Sequence, residues 1–121
     1  MSVRIIGYMK LILAIIKPFK LEEVRRRLLD IGISGMTVSE VSGFGRQRGH
    51  SELYKDVEYK IEQIPKAKIE IAVESEIVSE VVRIIRETAF TNQIGDGVIF
   101  VVKLGNIIRI RTGETGKMAL K

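Results

Sequence analysis

The pattern of apolar and polar residues near the start of the chain predicts a strand, a helix and a second strand. The run KLILAII (10–16) is apolar after its first residue and ends before Pro18, which is typical of a buried strand. GMTVSEVSGF (35–44) alternates and predicts a strand with one polar face. Between them, helical spacing up to Gly32 predicts a helix with one apolar stripe: Leu21, Val24, Leu28 and Ile31.

The second half of the chain repeats this order. KIEIAV (68–73) predicts a strand, and VIFVV (98–102) predicts a central strand because it is apolar throughout. NIIRIRT (106–112) predicts a short additional strand. Between the strands predicted at 68–73 and 98–102, a helical stripe consists of Ile77, Val81, Ile84 and Ile85. Aligning Lys10 with Lys68 also superposes four identical pairs: Ala14 with Ala72, Glu22 with Glu80, Val24 with Val82 and Arg25 with Arg83.

A βαβ unit that occurs twice predicts an α+β fold, the ferredoxin-like double βαβ sandwich, in which two helices cover one face of the sheet. No predicted element covers the other face. An apolar sheet face is commonly buried against copies of the same chain, so we expect a closed homo-oligomer.

Length and composition indicate one folded domain. The 121 residues are 45% apolar, which can supply a core. The formal net charge of +5 favours anionic partners without choosing among them. The absence of cysteine excludes disulfides and thiolate chemistry, and the single His50 excludes a histidine cluster. The longest apolar run is too short to span a membrane, so no membrane insertion is expected.

Two motifs offer groups that bind anions. IGDGV (94–98) places two glycines around Asp96, so backbone N–H groups could approach a ligand closely; an ordinary turn is the alternative. In IIRIRT, a strand would put Arg109 and Arg111 on one face about 7 Å apart, at about 3.3 Å per residue. That pair suits a polyphosphate, although arginines also protect edge strands from aggregation.

A long polar segment, GFGRQRGHSELYKDVEYKIEQIPK (43–66), separates the two halves. A loop of this length in a compact domain is either functional or disordered. The chain shows no recognisable acid–base pair, nucleophile triad or metal cage, so the sequence does not indicate an enzyme.

The motifs KPFK, GMTV, GFGRQRGHSELY, IGDG and IRIRTG, in this order and spacing, closely resemble those of the PII nitrogen-regulatory signal transduction proteins, from Met9 to about Glu114. The resemblance implies a single PII-like domain over 1–121 in a homotrimer, with residues 1–8 as an N-terminal extension and 44–63 as the T-loop. Either Met1 or Met9 is then the native start.

The resemblance also implies a cytoplasmic protein that binds ATP or ADP, and 2-oxoglutarate through Mg²⁺, in clefts between subunits. Its T-loop would regulate nitrogen-metabolism enzymes or an ammonium transporter, to which it could be recruited at the membrane. By position, Gln47 would hold Mg²⁺ and 2-oxoglutarate, Lys66 would bind 2-oxoglutarate, and Tyr59 would be the modified tyrosine. The implied nucleotide-binding residues are Met36, Thr37, Gly43, Gly45, Arg46, Gly95, Asp96 and Gly97, with Arg109 and Arg111 from the adjacent subunit.

Several positions depart from the family pattern. Val98 replaces a phosphate-contacting lysine, and Asn92 and Gln93 replace a glycine and a basic residue. Lys55 and Asp56 replace an arginine and a glycine of the loop tip, and Val57 replaces a serine that some relatives phosphorylate. These changes leave open an alternative, a divergent PII paralogue that senses mainly adenine nucleotides, binds ATP weakly and has another partner. The scarcity of aromatic residues disfavours a nucleic-acid-binding module.

Overall fold

The computed structural model describes residues 9–46 and 61–120, except for the side chains at 45, 46, 61 and 62. Predictions for Gln47, the loop tip and Tyr59 lie outside this range. The described elements are β1 (Met9–Ile16), α1 (Leu21–Asp30), β2 (Thr37–Arg46), β3 (Ile61–Glu74), α2 (Val78–Ala89) and β4 (Gly97–Lys103), with short 3₁₀ helices at Pro18–Lys20, Ser75–Ile77 and Gly116–Leu120.

The four strands form one antiparallel sheet in the order β2-β3-β1-β4. β1 is central, and its last residue, Ile16, pairs with Ala67 of β3 on one side and Gly97 of β4 on the other. β4 lies at the edge of the sheet, so the prediction of a central strand at 98–102 is wrong. This strand order, with both helices on one face, is the ferredoxin-like sandwich that the sequence predicts. None of the helices in the described parts of the chain is long and apolar enough to cross a bilayer.

The core lies between the sheet and the two helices. On β1 the buried residues alternate from Ile12 to Ile16, because successive strand side chains point to opposite faces. The helix α1 ends in a Schellman motif: Ile33 N–H donates to the Leu28 carbonyl, Gly32 N–H donates to the Leu29 carbonyl, and Gly32 has φ 90°. The central buried residues are Ile12, Ala14, Ile16, Val24, Leu28, Ile69, Ile71, Val81 and Ile85.

The buried residues show that the alignment of the two βαβ halves, which the sequence set by matching Lys10 with Lys68, is wrong by one residue. The alignment of Lys10 with Lys68 would pair buried Ile12 with Glu70, which lies on the opposite face. Pairing Ile12 with Ile69 instead also superposes the buried helix residues, Val24 with Val81 and Leu28 with Ile85. Because strand side chains have a period of two, a slip of one residue exchanges the faces.

The sheet face away from the helices is apolar and partly exposed. Ile15 of β1 pairs with Val98, and the next residues of β4 on this face are Phe100 and Val102, which are 47% and 42% exposed in the single chain. The apolar open face that the sequence predicts is therefore present.

The C-terminal strand predicted at 106–112 is reduced to a single β-bridge between Ile108 and Thr115. A tight turn interrupts it: Gly113 N–H donates to the Arg109 carbonyl at 2.7 Å, and Arg109 N–H donates to the Glu114 carbonyl at 2.8 Å. Gly113 has φ 76°. The chain therefore folds back on itself before a strand can extend, so the strand geometry expected for the two arginines does not apply.

The strands that flank the polar segment are longer than the sequence predicts. β2 continues to Arg46 and β3 begins at Ile61, and these two end residues pair with each other. Both ends of the predicted T-loop, 44–63, therefore belong to a paired ribbon.

Candidate functional site

One group of predicted site residues lies at the end of the sheet where β1 stops and β4 starts. Here Asp96 organises the turn between α2 and β4. Its Oδ2 accepts hydrogen bonds from the N–H groups of Thr91 at 2.7 Å and Asn92 at 3.0 Å. Its Oδ1 accepts a hydrogen bond from the Thr91 hydroxyl and lies 3.2 Å from Lys17 Nζ. Lys17 also donates to Thr91 Oγ1 at 3.1 Å.

These contacts keep Asp96 ionised. The hydrogen bonds from the Thr91 hydroxyl and the Thr91 backbone N–H, with a smaller contribution from Lys17, hold the pKa of Asp96 well below its usual range. Both carboxylate oxygens are occupied by groups of the same chain. The side chain of Asp96 therefore builds the turn, and the backbone of the turn is what faces outward.

The two glycines of the turn are required by the backbone. Gly95 and Gly97 have φ 98° and 110°, a region that other residues rarely adopt. At Gly97, a Cβ atom would lie 1.7 Å from the Ile15 carbonyl oxygen of the paired strand. No side chain fits there, so β4 can approach β1 at this point only with glycine.

Lys66 joins the polar segment to this turn. Its ammonium donates to the Gly95 carbonyl, although the two residues are far apart in sequence. Across the β2–β3 ribbon, a Cβ on Gly43 would lie 3.6 Å from Lys66 Cγ, an ordinary van der Waals distance, so the lysine stem lies beside Gly43. We call the group Gly43, Lys66 and Gly95–Gly97 the turn site. It adjoins a cavity of about 370 Å³ with largely apolar walls, including Ile85, Phe90 and Val98.

A second group of predicted residues surrounds a cleft near the opposite end of the sheet. Met36, Thr37 and Arg109 line this cleft, which has a volume of about 670 Å³ and is completed by the C-terminal residues Ala119 and Leu120. The Arg109 guanidinium donates to the Ala119 carbonyl. We call this the C-terminal cleft. Arg111 is exposed and borders an adjoining depression.

The two groups are well separated within one chain. Thr37 begins β2 and Gly43 lies further along the same strand, about 20 Å away at about 3.3 Å per residue. Gly97 similarly begins β4, whereas Arg109 follows its far end. Within one chain, the turn site and Arg109 therefore lie toward opposite ends of the sheet.

Sequence reasoning missed the roles of Lys17 and Thr91. Lys17 entered the sequence analysis only as the first residue of the motif KPFK, and nothing in the sequence links it to Thr91 and Asp96. Gly45 and Arg46 lie in β2, where the side chain of Arg46 is not described, and Gln47 is outside the described residues.

The family model for nitrogen regulatory protein P-II matches residues 9–114. The chain is 57% identical over 112 residues to the nitrogen regulatory protein P-II of Rhizobium etli, and 54% identical over 112 residues to the nitrogen regulatory protein GlnK of Escherichia coli. Each alignment covers 93% of this chain and all of the relative. The crystal structure of Arabidopsis thaliana PII bound to citrate superposes with a TM-score of 0.77 at 38% identity, covering 93% of this chain and 92% of that one.

These relatives are described as regulatory proteins, and the sequence likewise predicts no enzyme. The match covers both βαβ units and the turn site, and it begins at Met9, where the sequence motifs begin. The chain belongs to the P-II family of nitrogen regulatory proteins.

Proposed function

We propose that this protein senses ATP or ADP and 2-oxoglutarate in clefts between the subunits of a homotrimer, and regulates proteins of nitrogen metabolism through the segment 44–63. One observation carries the proposal. Seven of the ten predicted nucleotide-binding residues lie either in the turn site or in the C-terminal cleft, which are toward opposite ends of the sheet. A single nucleotide contacts both groups only if they come from two neighbouring chains.

The chemistry of each group suits part of the ligand. At the turn site, glycine backbone and the Lys66 ammonium offer positive partial and full charges to phosphate or carboxylate oxygens. At the C-terminal cleft, Met36 supplies an apolar wall for a base, and the Arg109 guanidinium can bind phosphate oxygens as a fork. The exposed apolar sheet faces give the subunits a surface to bury.

Lys66 is the proposed ligand for a carboxylate of 2-oxoglutarate. Its hydrogen bond to the Gly95 carbonyl places the ammonium beside the turn, so only the end of the side chain needs to turn toward the ligand. The Arabidopsis relative was crystallised bound to citrate, which is also an anion with several carboxylates. This supports a carboxylate ligand for the present chain.

A magnesium ion would be held mainly by oxygen atoms of the bound effectors. The described residues contain no cluster of histidine, aspartate or glutamate side chains that could hold a metal. Oxygens of ATP and 2-oxoglutarate, with the amide oxygen of Gln47, would supply the oxygen ligands that Mg²⁺ prefers. Magnesium would therefore link the two effectors and make their binding cooperative.

The partners would be nitrogen-metabolism enzymes or an ammonium transporter, and the protein would act in the cytoplasm, with recruitment to the membrane when the transporter is bound. Tyr59 would be the site of covalent modification. The ribbon formed by the ends of β2 and β3 connects the turn site directly to this segment, since Gly43 and Lys66 lie at its base. Ligand binding at the base can therefore change the direction of the loop.

The test is a calorimetric titration of the full chain with ATP and Mg²⁺, and with 2-oxoglutarate alone and in the presence of MgATP. We expect 2-oxoglutarate to bind only when MgATP is present. Binding of nucleotide without any response to 2-oxoglutarate would favour the second candidate, a divergent paralogue that senses mainly adenine nucleotides. The observation in favour of that candidate is Val98, which places no charge beside the turn site. Absence of nucleotide binding would refute both.

A further inference from the structure

The C-terminal 3₁₀ helix, Gly116–Leu120, lies beyond the residues that the family model matches. It packs onto the protein instead of extending from it: Ala119 is only 3% exposed, and Ala119 and Leu120 form part of the wall of the C-terminal cleft. Met36 and Thr37 line the same cleft. The helix therefore forms part of the wall of the cleft that contains Arg109.

Arg109 is held at both its backbone and its side chain. Its N–H donates to the Glu114 carbonyl at 2.8 Å, and its carbonyl accepts from Gly113 N–H at 2.7 Å. These two bonds form the turn that follows Arg109. The guanidinium donates to the Ala119 carbonyl, so the 3₁₀ helix provides one of the contacts that orient this side chain.

The 3₁₀ helix is itself anchored to the body of the protein. Gly116 N–H donates to the Ile107 carbonyl at 3.0 Å, and Lys117 Nζ lies 3.7 Å from the Glu74 carboxylate at the end of β3. The ion pair is largely exposed and contributes little. Burial of Ala119 is the stronger anchor because a side chain in this position is in contact with the sheet and excluded from water.

We propose that the C-terminal 3₁₀ helix is a positioning element, which holds the Arg109 guanidinium in the direction needed to bind the phosphates of a nucleotide between two chains. This inference rests on the proposed nucleotide-binding function. The helix itself does not contact the phosphates; it acts through Arg109.

The physical reason is conformational entropy. A long arginine side chain loses much rotamer freedom when a ligand fixes it, and that loss weakens binding. When the Ala119 carbonyl already holds the guanidinium, the side chain has lost rotamer freedom before the ligand binds. Ligand binding then costs less conformational entropy. A guanidinium has five N–H donors, so one bond to a carbonyl is compatible with a bidentate contact to phosphate.

The test compares four proteins: the full chain, a chain that lacks residues 118–121, the full chain with Arg109→Ala, and the truncated chain with Arg109→Ala. The truncation removes the Ala119 carbonyl but keeps Gly116 and Lys117. The affinity for MgATP is measured by calorimetry. We expect truncation to weaken binding about fivefold when Arg109 is present and less than twofold when it is alanine.

Equal weakening in both backgrounds would overturn the inference, because the helix would then act independently of Arg109. No effect of truncation in either background would overturn it as well. These outcomes differ from failure of the proposed function, in which the full chain would not bind MgATP at all.

Two full-length variants test the same inference without depending on whether the truncated chain folds. Ala119→Glu keeps the length but puts a carboxylate at a buried position, so it displaces the helix from the cleft and should weaken MgATP binding to a similar degree. Met118→Ala changes an exposed side chain of the same helix, leaves every backbone carbonyl in place and should bind as the full chain does. If Ala119→Glu binds MgATP as tightly as Met118→Ala, the inference is wrong.

Discussion

At the scale of single residues, Gly97 favours anion binding at the proposed turn site, whereas Val98 disfavours it. Gly97 allows the close approach of β4 to β1 that shapes the turn. Val98 follows it directly, is 46% exposed and pairs with Ile15. It occupies the position where the family resemblance implies a lysine that contacts phosphate. Two described cations nearby are already engaged, Lys17 with Asp96 and Lys66 with the Gly95 carbonyl, and Arg86 lines the adjoining cavity.

We therefore expect Val98→Lys to raise the affinity for ATP by about tenfold, because it adds a charge-assisted hydrogen bond to the phosphates. Val98→Met is the matched control, with a side chain of similar reach but no charge. Calorimetry at two salt concentrations checks the result, since the gain should shrink at high salt. Equal ATP affinities of Val98→Lys and Val98→Met would show that the position does not face the phosphates.

Gly97→Ala should destabilise the fold by roughly 3 kcal/mol, because its Cβ would overlap the Ile15 carbonyl oxygen and the backbone has positive φ. Gly105→Ala is the matched control, since a Cβ there meets no atom within 4 Å and the backbone is not in the positive φ region. Urea unfolding of both variants measures the difference. A Gly97→Ala protein as stable as Gly105→Ala would contradict the close approach of the strands.

At the scale of elements, the turn between α2 and β4 is a unit held by one carboxylate. The Asp96 carboxylate accepts hydrogen bonds from the N–H groups of Thr91 and Asn92 and from the Thr91 hydroxyl, and it forms an ion pair with Lys17. Asn92 adopts φ 63°, a conformation that asparagine tolerates better than most residues. The turn is therefore shaped mainly by hydrogen bonds to a charged group, and its stability depends on that charge.

This arrangement predicts a pH dependence of stability. Folding lowers the pKa of Asp96 below its usual value of 3.8, so the unfolded chain binds a proton more readily than the folded one. The stabilisation is complete above the unfolded pKa and is lost as the pH falls below about 4 toward the folded pKa. In Asp96→Asn, urea unfolding midpoints should therefore decline less between pH 5 and about pH 2.5 than in the unchanged protein. Parallel declines would contradict an ionised, hydrogen-bonded Asp96.

At the scale of the whole molecule, the single chain contains two separated parts of the proposed site and an uncovered apolar sheet face. The homotrimer proposed above would account for both features. Residues such as Phe100 would be buried, and the Arg109 of one chain would approach the turn site of the next.

Complementation between two variants tests this arrangement. Arg109→Ala impairs the C-terminal cleft, and Val98→Glu adds a repelling charge beside the turn site. Each variant alone should bind ATP poorly. In mixed oligomers formed by co-refolding, about a quarter of the sites should combine an intact cleft with an intact turn site and recover full affinity. If each site lies within one chain, calorimetry will detect no recovery.

The amino-acid sequence by itself determined the type and order of the main elements. The continuous apolar run KLILAII and the period of 3.6 residues in the Leu21–Ile31 stripe are local properties, and hydrophobic burial makes them sufficient to place the first strand, the first helix and their core residues. The motifs around Gly95 and Gly97 were likewise visible, because backbone requirements select glycine.

Only the tertiary structure decided which side chains meet. Lys17, Thr91 and Asp96 come together because Ile16 pairs with Gly97, and sheet register is a property of the whole fold. The same holds for the grouping of Thr37 with Arg109 and for the 3₁₀ helix that holds the guanidinium. The predicted C-terminal strand failed for a related reason: its alternating pattern was correct for a strand, but the backbone hydrogen bonds of Arg109 are made within its own turn, so no extended ladder forms there.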